Sequence, residues 1–119
     1  MRQRFPARVY GVGEEPDPRF SLANERTFLA WIRTSLALSA AGVALVAVDV
    51  PVPRWTELTC ALLLVGLGLL APVQAWGRWM ATERALRLDR PLPAFASGPL
   101  LVVGVSVVGV LLLVGLVLG

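Results

Sequence analysis

The sequence has no histidine, no lysine and a single cysteine, Cys60. Without histidine, imidazole acid–base chemistry and imidazole metal ligation are unavailable. A lone cysteine cannot close an intramolecular disulfide, and in its apolar run Cys60 reads as a small packing residue. Charge is scarce as well, at 16% of the 119 residues against 56% hydrophobic. So small a soluble domain would need more polar surface than that. No nucleophile–base pair, metal set or phosphate loop is recognisable, so the expectation is a chain that is not an enzyme and carries no cofactor or metal. The basic balance, net +3, also gives no nucleic-acid reading, because the arginines flank apolar runs instead of forming a surface patch.

What is present is a strongly segmented chain. Its charges fall within 1–33, 49–57 and 78–90, and charge-free stretches of 15, 20 and 29 residues separate or follow them. Such runs reach or approach the ~20 apolar residues that cross a bilayer. The sequence therefore predicts an all-α, integral membrane three-helix protein assembled as a homo-oligomeric helical bundle. Residues 1–16 read as a flexible cytoplasmic tail and 17–119 as the three-helix membrane domain. The spans are placed at about 22–48, 56–76 and 99–119.

Local signals set those bounds. Asp17-Pro18 looks like an N-cap followed by a first-turn proline, with Ser21 as a competing cap. Asp49, Pro51 and Pro53 end the first helix. The second carries Pro72 and continues into a polar helical extension, in which Glu83 and Arg87 stand at i, i+4. Pro91 and Pro93 stop it. In the third span, Gly104, Gly109, Gly115 and Gly119 offer thin faces for close helix approach. Arginine is abundant in 1–33 and 77–98 and sparse elsewhere. The positive-inside rule then puts the N-terminus in the cytoplasm and the C-terminus outside. Trp31, Trp76 and Trp79 fall at the inner interface and Trp55 at the outer, as aromatic belts do.

One pattern stands out. Arg19, Arg26 and Arg33 recur every seven residues, which keeps them on one helix face about 10.5 Å apart. The stripe continues as the small residues Ala37, Ala40, Ala41 and Ala44, while Phe28, Trp31, Ile32 and Leu38 lie opposite. One reading is an anchor whose arginines snorkel to anionic lipid. The other is a stripe facing a polar space shared by several copies, as stacked cationic rings that select anions above a neck of Ala37, Ala41 and Ala44. Glu25 is then an internal counter-charge for Arg84 or Arg87.

The run Asp17-Pro18-Arg19-Phe20-Ser21-Leu22-Ala23-Asn24-Glu25-Arg26-Thr27-Phe28-Leu29-Ala30-Trp31-Ile32-Arg33-Thr34 resembles the signature of the bacterial YidH-like family, domain of unknown function 202. The layout of three spans, with Glu83-Arg84-Ala85-Leu86-Arg87 ahead of Pro91-Leu92-Pro93, is also similar. That family is similar in turn to the small membrane subunit of the eukaryotic vacuolar transporter chaperone, a polyphosphate polymerase complex. There, five three-helix domains surround a pore. The resemblance implies five copies, a bacterial inner-membrane location and a path for inorganic anions or polyphosphate. It places Arg19 and Arg26 at basic pore positions and Glu25 at a carboxylate partner position. Arg33 stands where the eukaryotic subunit has an uncharged residue, and the third span lacks that subunit's intramembrane arginine. Two function classes remain open: an oligomer that binds or conducts anions, and an accessory scaffold of a larger membrane complex. Membrane lipid is a partner in both.

Overall fold

The computed structural model describes residues 4–93 and 97–118. Its elements are α1 (Ala7–Tyr10), α2 (Pro18–Ala47), α3 (Arg54–Arg87) and α4 (Ser97–Leu118). The last three are each long and apolar enough to cross a membrane. The expected three spans are therefore present. The second is longer than its apolar part, because α3 runs on without a break through Pro72 and the polar extension. At 1.5 Å per residue, a 34-residue helix is about 51 Å long, and a hydrocarbon core is only about 30 Å thick. One end of α3 must project beyond the core, and its charged end, Arg78–Arg87, is the end that can do so without burying charge in hydrocarbon.

Asp17 wins the competition to cap α2. Its carboxylate accepts the Arg19 backbone N–H at 2.9 Å, and Pro18 takes the first helical position. The Arg19 guanidinium also binds Asp17, at 2.8 Å, and this holds the Asp17 carboxyl below the usual carboxylate range. Ser21 is left for a different role. Thr27 and Thr34 return their hydroxyls to the carbonyls of Ala23 and Ala30, both at 3.1 Å. Each hydroxyl is thereby satisfied within its own helix, as an apolar setting requires.

α3 is the hub. It packs against α2 along most of the length of α2, against α4 on another side and against α1 at its polar end. The α2–α3 crossing depends on missing side chains. A Cβ at Gly68 would collide with Ser39 Oγ and come within 2.9 Å of the Ser35 carbonyl, and one at Gly42 would lie 2.9 Å from the Ala61 carbonyl. α4 is seated against α3 at two notches. Gly104 meets Leu67, and Gly115 meets Thr56. Two of the glycines expected to give thin faces are thus used within the chain, while Gly109 has open space beside it; Gly119 lies outside the described residues. Between the notches Cys60, Leu64 and Val108 form a small core, against which Leu38 and Leu45 of α2 and Leu111 and Leu112 of α4 pack. Cys60 is fully buried there, with Sγ 3.8 Å from the Val108 carbonyl.

Residues 4–16, the described part of the segment 1–16 read from the sequence as a tail, follow the foot of α3. The reason is the unpaired C-terminal end of that helix, which needs partners. The Glu14 backbone N–H binds the Arg87 carbonyl at 3.0 Å. Gly13 has φ +60°, and its backbone lies directly against Arg87, where any Cβ would clash. A side chain is excluded there twice, by the left-handed backbone and by the close approach.

Candidate functional site

Two features of α2 and α3 bear on function: the basic face of α2, and a cleft between the feet of the two helices.

The basic face is where helical periodicity put it. Arg19, Arg26, Arg33, Ala37, Ala40, Ala41 and Ala44 are all exposed, while Asn24, Ser35 and Gly42 are buried. At 100° per residue those two sets lie nearly opposite each other. The bulky residues Phe28, Trp31, Ile32 and Leu38 are half-buried on the packed side. Among the described residues, none covers the arginine–alanine face. Arg19 points into the open with its side chain 85% exposed and is already paired with Asp17. Arg26 and Arg33 carry the stripe onward.

The foot of the molecule is built differently from the expected pairing. Glu25 binds neither Arg84 nor Arg87. Arg84 donates to the Arg8 carbonyl at 3.0 Å. Arg87 is almost wholly buried and places its guanidinium on the carbonyls of Val12 (2.7 Å) and Tyr10 (3.3 Å) and on Glu15 Oε1 (3.2 Å). These three donations cap the N-terminal segment, so Arg87 is a structural clasp. Glu83 does not pair with Arg87 either. It is only 3% exposed and accepts hydrogen bonds from α2, from Ser21 Oγ at 3.1 Å and Asn24 Nδ2 at 3.2 Å. The same Asn24 amide reaches the Trp79 carbonyl at 3.1 Å. Sequence reasoning missed this clamp. The available signal was the spacing of Ser21 and Asn24, which puts two polar residues on the otherwise bulky face of α2.

Aromatic residues fill the space around the clamp. Trp76 and Trp79 stack with ring centres 5.1 Å apart, Phe28 meets Trp76 edge-on at 6.0 Å, and Tyr10 lies 6.3 Å from Trp79. Arg4 sits 4.3 Å above the Tyr10 ring and pairs with Glu15. Between these groups a cleft of about 490 Å³ opens, with Glu25 at its edge. No group of three or more metal-ligating side chains occurs among the described residues.

Three long apolar helices, one of them projecting with a polar foot, define a small polytopic helical membrane protein. The chain matches the family model described as Domain of unknown function (DUF202) over residues 19–85. It belongs to that family. It is 46% identical over 115 residues to Inner membrane protein YidH of Escherichia coli K12, covering 91% of this chain and 99% of that one. It is 45% identical over 107 residues to Uncharacterized protein Rv2272 of Mycobacterium tuberculosis H37Rv, covering 83% and 82%. No solved structure matches. The matched region takes in the basic stripe, the Ser21–Asn24–Glu83 clamp and the tryptophan pair.

Proposed function

We propose that the protein is a homo-oligomer of the bacterial inner membrane in which the α2 helices surround a vestibule open to the cytoplasm, where Arg26 and Arg33 bind phosphate-like anions. The observation that supports this reading is the uncovered arginine–alanine face of α2, opposite its packed face. A cation facing lipid costs about 2.5–3.5 kcal/mol at mid-membrane and less toward the edge. Shared water and counter-ions around a common axis reduce that cost. The alanines above the arginines let neighbouring helices approach closely, and five copies follow from the family resemblance. Guanidinium forks match phosphate oxygens in geometry and charge. Like charges gathered in a ring repel, so bound anions stabilise the assembly as they enter it. Arg19, committed to Asp17, contributes least.

The test is the double variant Arg26→Gln/Arg33→Gln in lipid nanodiscs. Calorimetric titration with tripolyphosphate should show binding to the parent and at least a tenfold loss in the variant, roughly 1.4 kcal/mol or more. Native mass spectrometry should give the same oligomer for both. Equal binding, or a parent that is monomeric across mild detergents and nanodiscs, would replace this reading with the lipid-anchored accessory scaffold.

Orientation has its own test. Because Cys60 is buried, a single introduced cysteine can be mapped with little background. A cysteine at position 2 should resist an impermeant thiol reagent in intact cells, and one appended after Gly119 should react. The reverse pattern would invert the topology and place the basic vestibule outside.

A further inference from the structure

The cleft at the foot of α2 and α3 has a chemistry opposite to that of the basic face. Its lining includes three carboxylates, Glu15, Glu25 and Glu83, against two guanidiniums, Arg4 and Arg87, in a chain whose net charge is +3. Both guanidiniums are already engaged. Arg87 is spent on two carbonyls and Glu15, and Arg4 on Glu15 and the Tyr10 ring. Glu83 has only neutral donors, Ser21 and Asn24. Glu25 is exposed at the edge and has no hydrogen-bond or ion-pair partner among the described residues. The uncompensated charge of the cleft is therefore negative. Its apolar lining is largely aromatic, with Phe28, Trp76 and Trp79.

Aromatic faces beside a free carboxylate attract organic cations, because the ring quadrupole and the carboxylate act on the same charge while the rings take the attached alkyl groups. A concave, mostly apolar site with a few placed polar groups is the usual form of a small-ligand pocket. We propose that this cleft binds an alkylammonium group, seated against Trp76 and Phe28 with its charge toward Glu25. The group could be carried by an ethanolamine lipid headgroup at the membrane surface or by a free lipophilic ammonium. The proposal is independent of anion binding on α2, since the two use different residues on different faces.

The probe is benzyltrimethylammonium, titrated into the full chain in maltoside micelles while tryptophan fluorescence is followed. Saturable quenching is expected. Trp76→Leu should remove most of it, and Glu25→Gln should weaken binding by about tenfold, the loss of a charge-assisted contact. Neopentylbenzene, the uncharged carbon isostere, should show no saturation. Repeating the titration in nanodiscs separates the sources. A weaker apparent affinity in phosphatidylethanolamine than in digalactosyldiacylglycerol, which is also net neutral but has no ammonium, assigns the cleft to the lipid headgroup, and equal affinities assign it to a free ammonium. Glu25→Gln binding like the parent, or neopentylbenzene saturating at the same concentration, overturns the proposal and leaves an apolar dent without charge selectivity.

Discussion

Adding one methyl group at residue 68 is expected to destabilise the protein by about 1–3 kcal/mol, the usual cost of overpacking a tight interior. In Gly68→Ala the new Cβ collides with Ser39 Oγ and approaches the Ser35 carbonyl, which is backbone on the facing helix and cannot swing aside. The matched control is Gly66→Ala, two residues earlier on the same helix, where nothing lies within 4 Å. That variant should match the parent or exceed it slightly, since alanine is the better helix former. Unfolding in mixed maltoside and dodecyl sulfate micelles, followed by circular dichroism, measures both. Two variants of equal stability would mean that α2 and α3 do not cross at Ser35 and Ser39.

The second large effect is expected at Glu83. Glu83→Ala removes the acceptor for Ser21 Oγ and Asn24 Nδ2 inside a buried contact. Leaving donors unsatisfied in such a place costs about 1–3 kcal/mol. Glu83→Gln keeps one acceptor oxygen and should lose less. Because the clamp ties the start of α2 to α3, the damage should be local as well as global. Amide exchange should quicken in the first turns of α2 and, through Arg87 and Glu14, in residues 4–16, before the apolar halves of the helices open. A Glu83→Ala protein with unchanged stability and exchange would show that the clamp carries no strength.

Much of the frame was legible in the sequence, since each cue for it lies within one helix. Asp17-Pro18 marked the start of α2, and charge-free length marked the three spans. The seven-residue spacing of Arg19, Arg26 and Arg33 placed them on one face. What was not legible depends on partners far along the chain. Glu83 looked like half of an i, i+4 pair with Arg87, but it binds residues 59 and 62 positions away. Burial explains the outcome. An exposed i, i+4 pair contributes only about 0.3–0.5 kcal/mol, and a buried carboxylate needs donors close at hand. Arg87 was drawn off by the carbonyls of Tyr10 and Val12, groups that no side-chain pattern reveals. Glu25 was consequently left without the partner expected for it, and the cleft it borders emerged only from the packing of aromatic residues from α2, α3 and the N-terminal segment.

The two notches of α4 bear on how the protein meets membranes of different thickness. Gly104 with Leu67 and Gly115 with Thr56 are each eleven residues apart on their own helices, in antiparallel register. Contacts separated by the same rise on both partners act like the teeth of a key. A slip of one residue would drive Cβ-bearing neighbours into Leu67 and Thr56 together, so α4 cannot slide along α3 to adjust its depth. In a thin bilayer a hydrophobic helix pair can tilt, thicken the lipid around it or shift its members past one another. For α3 and α4 the last of these is closed, and they must lean as one body. The polar foot of α3 leans with them, so bilayer thickness sets the angle at which that foot stands in the water beyond the membrane.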